Sequence, residues 1–497
     1  GGTTDVLDRT FEYDSRNRMT KETAQFNDGE QAVVAYTYDD LGQLTGKTYG
    51  TGAHAIHETM DYNMQGWLTE KSSELFEMRL RYHDPESHLS DRASYTGNIS
   101  SWWWKHRLIN NDNDSENRLY AFTYDDLARL VDTELYLDDS YSASNEFVEN
   151  GITYDKNSNI ITLNRSGLSQ DDIKGYRFLY SGNQRINDEA SNSDYEYDAN
   201  GNIHRDALTG FYIYYNLLNL PTVIYTEGDM GLYYTYLSDG TKIEVCGYDD
   251  SEPTRYIGSL VYNDGTFESA SFGGGRIVGT NNGANSEGHY FLTDHLGSTR
   301  VVAKVTPTGR EDLDRKDYYP FGKEWTQSGM PTSDNRYTFS GKEQQHLRGQ
   351  VVNYADFEAR FYDSETGIFL QQDPLSEYSF QVSPYAYCGN NPINRIDLDG
   401  KRWDDPIQDA EIARQIKDAI NAALNALISQ EKRINNRINK INDNTKLSQE
   451  KKEERVAKEK QKLAEIDIQQ DNLTYLSEGI DKMGSEDNPN IFTFETV

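Results

Sequence analysis

The chain has 497 residues, 36% hydrophobic and 12% aromatic, with 38 Gly, 36 Tyr, 11 Pro and a formal net charge of −33. That length allows more than one domain and a sizeable core, and an excess of Tyr and Gly over aliphatic residues suits many short strands joined by tight turns. The negative charge argues against nucleic acid as a direct partner, because binding a polyanion draws on Lys and Arg to release counterions.

Residues 11–225 carry an internal repeat: EYDSRNRMTKE (12–22), TYDDLGQLTGKTYG (37–50), DYNMQGWLTEK (61–71), TYDDLARLVD (123–132), TYDKNSNIIT (153–162) and EYDANGNIHRD (196–206), with a half-unit YTGNIS at 95–100. The pattern is Tyr-Asp-x-x-Gly/Asn-x-Leu/Ile. Tyr ends one strand, Asp caps the turn through its own backbone, Gly or Asn takes the positive φ, and the aliphatic residue opens the next strand. Gly42, Gly66 and Gly201 are assigned the positive-φ position, with Asn17 and Asn159 replacing Gly. The Asp residues of these units are read as turn formers, not catalysts. One hairpin cannot bury its own face, so the units must stack into a continuous antiparallel strip. The units resemble YD repeats of the RHS/YD family, and the resemblance implies a strip that spirals into a hollow β-shell.

The opening GGTTDVLDRT enters a repeat almost at once and reads as a cut end. Trp102, Trp103 and Trp104 form a triplet in which strand alternation sends Trp103 to the opposite face from its neighbours, and filling the wall is the expected role. DNDSE (112–116) opens like a calcium loop but lacks the Gly and Glu such a loop needs. FGGGRIVG (272–279) has the wrong spacing for a phosphate cradle and is expected to be a Gly-rich strand against the wall. Two cysteines, Cys246 and Cys388, make no disulfide framework or zinc ribbon and leave the redox compartment open. The His residues include no metal-binding pair, so no cofactor and no metal are expected. No apolar run reaches the ~20 residues of a membrane span, and no signal-peptide pattern opens the chain.

Between Asp294 and Gly400 five segments follow one another: DHLGSTR (294–300), DYYPFGK (317–323), YTFSGKE (337–343), ARFYDSETGIFLQQDPL (359–375) and SPYAYCGNNPINRIDLDGK (383–401). In that order and spacing they resemble the RHS-repeat-associated core domain. The chain is accordingly expected to be mainly β, with repeats over 1–225, a core closing the shell over 226–400, and a helical tail over 401–497.

In this family and in the related C components of ABC toxin complexes, the end of the core can cut its own chain. The resemblance places the residues concerned at Arg360 in ARFYD, Asp373 in QQDPL and Asp397 in DLDGK, with the junction at Gly400, Lys401 and Arg402 and the cut between Lys401 and Arg402. Two adjacent carboxylates sharing a proton can activate a water and protonate the leaving group, while a guanidinium steadies the oxyanion. Leu398 stands where the family has Pro, and Lys401 where it has an aliphatic residue. The former loses a rigid φ, and a Lys⁺ beside the pair would favour the ionised forms. At most, the chain is an aspartyl-type autoprotease acting on itself.

Only one of the 36 Tyr and two of the 38 Gly follow Gly400, and the tail carries a net −3 of the charge. It is expected to be a helical hairpin. Asp405 caps and Pro406 starts the first helix, with Ile412, Ile416, Ile420, Leu424, Leu427, Ile434, Ile438 and Ile441 on one face. DNTK (443–446) turns, and Ser448 caps a second helix striped by Val456, Leu463, Ile466, Leu473, Leu476 and Ile480. The final NIFTFETV looks like a strand beginning. The family resemblance implies a shell that shields or presents a C-terminal effector, is secreted or translocated, and has an injection apparatus and an immunity protein as partners. A second expectation is a cell-surface adhesion or glycan-binding scaffold, like the YD shells of teneurins, with exposed Tyr and Trp stacking on sugars.

Overall fold

The structure is a computed structural model, described over residues 5–107, 117–137, 141–168, 173–188, 193–227, 231–247, 253–326, 331–347, 350–404, 427, 431–443, 448–460, 462–463 and 466. It falls into two units, Gly1–Asp14 with Met19–Asp405, and Ser15–Arg18 with Pro406–Val497. The first is almost entirely antiparallel β. Eleven strands from Leu7–Tyr13 to Ser142–Ser144 form one sheet, five from Glu149–Tyr154 to Ser193–Asp194 a second, and thirteen from Glu196–Tyr197 to Gly309–Arg315 a third. Within each sheet the strands lie side by side in chain order, as a meander.

The repeat motif explains each hairpin. In TYDDLGQL the Asp39 Oδ1 accepts from the Gln43 N–H at 2.8 Å, Gly42 N–H returns to the Asp39 carbonyl, and Gly42 takes φ +93°. The same cap recurs at Asp125, Asp155 and Asp198, and Gly66 and Gly201 are left-handed like Gly42. Asn17 is left-handed as expected, but Asn159 is not. In TYDKNSNI the fifth motif position is Ser158, which takes φ +66°, while Asn159 turns its amide onto Asp155 Oδ2 at 2.8 Å. The hairpin's register counts from Tyr154, opposite Ile160, and so puts the left-handed residue one place earlier.

The motif Tyr does more than end a strand. Its ring reaches across to the neighbouring hairpin, and its hydroxyl donates to the carbonyl of that hairpin's aliphatic motif residue. Tyr38 donates to Met19 at 2.8 Å, Tyr62 to Leu44 at 2.9 Å, Tyr124 to Ile99 at 2.8 Å and Tyr154 to Leu130 at 2.5 Å. Tyr82, Tyr180, Tyr215 and Tyr236, outside the repeats read from the sequence, make the same bond to Leu68, Ile160, Ile203 and Pro221.

The first and third sheets meet through their side chains. The rings of Phe26 and Phe267 stack with centroids 3.5 Å apart, Glu22 accepts from the Gly273 N–H at 2.8 Å, and Lys71 Nζ donates to the Thr293 carbonyl at 3.0 Å. FGGGRIVG forms the strand Gly275–Thr280 and the turn before it, where a Cβ on Gly274 would lie 3.1 Å from the Val34 Cβ. In the strand Ser101–His106, Trp102 and Trp104 are buried with rings 5.4 Å apart, and Trp103 is half-buried on the other face beneath Arg79.

In the second unit residues 431–442 and 449–460 are helical, and Leu427, Ile434 and Ile466 are buried together with Ile438 and Leu463 against them. The first bond of the later helix runs from the Lys452 N–H to the Ser448 carbonyl at 3.1 Å, which puts Ser448 at the cap. The expected features at 112–116, Asp405–Pro406, Ile412, Ile416, Ile420, Leu424, 444–446, Leu473, Leu476, Ile480 and 490–497 lie outside the described residues. Among the described residues no helix is long and apolar enough to cross a membrane.

Replacing Tyr154 by Phe keeps the ring under the Arg129 guanidinium and removes only the hydroxyl. The Leu130 carbonyl then loses its side-chain donor, and stability should fall by about 1–2 kcal/mol. The check is a lower urea midpoint at unchanged m-value.

A buried arginine–carboxylate cluster at the end of the core

The segments after Asp294 reuse the turn chemistry of the repeats and then fold against it. Asp294 caps DHLGSTR by accepting from the Leu296 and Ser298 N–H groups, both at 2.9 Å, and its other oxygen receives Arg300 Nε at 2.9 Å. Arg300 also donates to Asp317 of DYYPFGK at 2.9 Å, and Asp317 accepts from Trp104 Nε1 at 2.7 Å. Further on, Tyr318, Phe339, Phe357, Tyr362, Phe369, Tyr387 and Cys388 pack into one aromatic cluster. SPYAYCGNNPINR faces the repeat turns. Asn390 Nδ2 donates to the Ser158 carbonyl at 2.7 Å, Asn391 Nδ2 to Asn98 at 3.0 Å, Asn394 accepts from the Ile99 N–H at 2.7 Å, and Tyr385 donates to the Gly201 carbonyl.

Arg360, Asp373 and Asp397 converge beneath this layer. Arg360 precedes the strand Phe361–Asp363, Asp373 heads the turn after the QQ pair, and Asp397 lies on a two-residue strand paired with Trp403–Asp404. Arg360 Nη2 lies 3.0 Å from Asp397 Oδ2 and 3.4 Å from Asp373 Oδ2, so one guanidinium bridges both carboxylates. Its Nη1 donates to the Pro384 carbonyl at 3.2 Å, its Nε donates to the Gly400 carbonyl, and its Cζ lies 3.7 Å from the centre of the Phe369 ring. Asp397 Oδ1 accepts from the Gly400 N–H at 2.8 Å, and Asp373 Oδ1 from the Leu375 N–H at 2.7 Å. Gly400 has φ +71°, and a Cβ there would meet the Phe357 carbonyl at 2.6 Å, so only Gly lets the loop lie this close.

Exposure is 1% for Arg360, 0% for Asp397 and 7% for Asp373. Burial pushes the Asp397 carboxyl up to about 6 against the pull of Arg360, with the nearby charges of Asp399 and Asp373 pushing the same way. Burial also raises Asp373, again opposed by Arg360, and it lowers the Arg360 guanidinium. Arginine starts so high that it stays charged. The cluster therefore holds one fixed cation between two carboxyls, one of which takes up a proton in mildly acidic water.

The junction residues are placed unevenly. Gly400 is inside the cluster, whereas Lys401 and Arg402 are exposed. The Lys401 ammonium sits on Asp399 Oδ2 at 3.1 Å. The Leu398 carbonyl is pinned by Lys342 Nζ of YTFSGKE. Neither Lys342 nor Asp399 was singled out from the sequence. The spaced pair of acids in DLDGK was the one available signal for the latter.

A second carboxyl pair, which no sequence motif marks, lies nearby. Asp363, in the same strand as Phe361, is buried against Asp206 of the repeats, where Tyr354 donates to Asp206 and Thr366 to Asp363. Burial, followed by the charge of Asp206, pushes Asp363 up to about 7. Its ordinary value is roughly 3.9, so its raised folded value adds stability that is fully present below that and lost as pH rises through about 7. Chemical denaturation at pH 5 and pH 8 should show the parent weaker at pH 8, and Asp363→Asn should flatten the difference. Arg360→Met strands two buried carboxylates and should cost roughly 3–5 kcal/mol at neutral pH, seen as a large drop in thermal midpoint.

No family model matches the chain. Over 121 residues it is 36% identical to Salivary gland surface protein 1 of Aedes aegypti, covering 24% of this chain and 3% of that protein. Over 169 residues it is 26% identical to the tRNA3(Ser)-specific nuclease WapA of Bacillus spizizenii, covering 33% of this chain and 6% of that protein. The chain thus spans only a few per cent of the length of these curated relatives. Among solved structures, TcdB2–TccC3 superposes with a TM-score of 0.61 at 16% identity, over 79% of this chain and 21% of that one. A Photorhabdus luminescens Tc holotoxin pore matches with a TM-score of 0.61 at 16% identity, over 80% and 20%. The chain also matches TcdB2–TccC3 without its hypervariable C-terminal region, with a TM-score of 0.60 at 16% identity over 79% and 20%. Over 79% of its length the chain therefore shares the fold of TcdB2–TccC3.

Proposed function

We propose that the protein is an RHS shell that encloses or presents a C-terminal effector for delivery, and that its core cuts the chain at the junction with the tail. The observation that carries the reading is the Arg360 bridge between Asp397 and Asp373, buried and closed over the Gly400 backbone at the last residues of the β unit. Other cations of the β unit also bridge two carboxylates, but this bridge closes on the Gly400 carbonyl at the junction, and a second carboxylate beside the nearer one, raised to about 6, supplies both a base and an acid. Asp373, the more open of the two, draws a proton from water, Asp397 supplies one to the leaving nitrogen, and Arg360 holds the oxyanion.

A hypervariable C-terminal region in the TcdB2–TccC3 neighbour supports a passenger beyond the core here, and the nuclease WapA supports a toxic one. In this reading the chain is secreted or translocated, its shell engages an injection apparatus, and an immunity protein meets the effector. A second reading, a surface-exposed binding scaffold, draws on the stretch 36% identical to Salivary gland surface protein 1. Protease treatment separates the two: a tail shielded by the shell stays intact, whereas a scaffold would bind glycans whether or not the tail is present.

The intact mass of the denatured protein, beside Asp397→Asn, tests the cutting. The parent should run as two fragments dividing at 400–402, and the variant as one chain. A single chain in both would leave Asp373 and Asp397 as structural residues. Because the acid form of Asp397 grows as pH falls through about 6, cutting should be faster at pH 5.5 than at pH 8.

A further inference from the structure

The peptide between Gly400 and Lys401 is held by charged groups at both of its polar atoms. Its carbonyl oxygen accepts from Arg360 Nε, and its N–H donates to Asp399 Oδ1 at 3.1 Å. The preceding N–H, that of Gly400, donates to Asp397 Oδ1 at 2.8 Å. The loop carrying this peptide is fixed on three sides. Asp397 pairs with Trp403 across its base, the Asp399 carbonyl accepts from the Ala359 N–H at 3.1 Å, and the Leu398 carbonyl accepts from Lys342. A carbonyl fixed against a buried guanidinium is placed where an oxyanion would form. The Lys401 side chain, by contrast, points to the exposed side, its ammonium on Asp399.

We infer that the bond this site opens is Gly400–Lys401, one residue before the junction expected from the sequence, and that Asp399 is a further catalytic residue at its leaving nitrogen. The inference rests on the reading that the core cuts itself. Water oxygen bonds to the Gly400 carbonyl carbon, giving one proton to Asp373, and the oxygen that becomes negative stays on Arg360. The C–N bond then breaks as Asp397 passes its proton to the Lys401 nitrogen, whose N–H Asp399 holds in place. The Gly400 carboxylic acid so formed gives its remaining proton to the Lys401 amine, leaving a carboxylate and an ammonium; Asp373 ends protonated and Asp397 ionised, an exchange that water reverses, and nothing is oxidised or reduced.

N-terminal sequencing and intact mass of the fragments of the 497-residue chain decide the bond. A smaller fragment beginning at Lys401 is expected. One beginning at Arg402 overturns the inference while self-cutting stands, and an uncut chain overturns both. Asp399→Asn should slow the appearance of fragments at least about ten-fold without lowering the thermal midpoint, and Asp399→Glu should recover part of the rate. An Asp399→Asn variant that cuts at the parent rate removes Asp399 from the chemistry.

Discussion

The β unit depends on one recurring bond, from the hydroxyl of the motif tyrosine to a main-chain carbonyl of the neighbouring hairpin. A meander of short strands has few aliphatic side chains with which to fix one hairpin against another, and this chain is poor in them. The tyrosine supplies two things at once: a ring that covers the pleat, and a donor that satisfies a carbonyl just where the register shifts. Tyr38 opposite Leu44 and Tyr62 opposite Leu68 both sit at such shifts. Because Tyr62 donates to Leu44, the residue paired with Tyr38, each rung ties one turn to the turn before it. The Asp cap fixes the turn, and the rung fixes its neighbour. Together they carry the spacing of the strip along the chain.

Where the strip ends, the core takes over with buried charges instead of repeated rungs. Lys242 joins Glu343 to Asp356, Arg165 joins Glu149 to Glu365, and Arg300 joins Asp294 to Asp317. Ion pairs with so little exposure add little net stability over apolar packing, but they penalise any other seating heavily because a misplaced partner leaves a charge unmatched. The asparagines of CGNNPINR act similarly on the turns at Asn98, Ile99 and Ser158, reading backbone positions that only correctly formed hairpins present. The core can thus close only on a strip that is already in register.

Much of this was legible because turns are local. Asp, Gly and the aliphatic residue of each unit declare a hairpin within seven positions, and the order of the core segments declared the rest by resemblance. The rungs were not legible, since nothing in TYDDLGQL says which carbonyl Tyr38 will meet in the unit before. At Ser158 residue type misleads: the asparagines on either side suit a left-handed turn, but the count from Tyr154 places it at Ser158. For the cluster, residue types and motif positions indicated Arg360, Asp373 and Asp397, but not which backbone they surround. Pro384, Lys342 and Asp399 join through loops whose paths are set by tertiary packing.

For the proposed cutting, that dependence on packing bears on when the junction could react. Arg360 is 37 residues from Asp397 and 40 from Gly400 along the chain, and the loop bearing Gly400 lies against Phe357 through a contact that no side chain would permit. In the unfolded chain each carboxyl keeps its ordinary value and water screens each charge, so neither the acid nor the oxyanion donor exists. Both arise when 357–360, 384 and 397–400 are brought together and dried. In the proposed reaction the chemistry of the cluster is therefore a property of the folded core, and a chain whose repeats have not set the turns that the core reads would hold its junction intact.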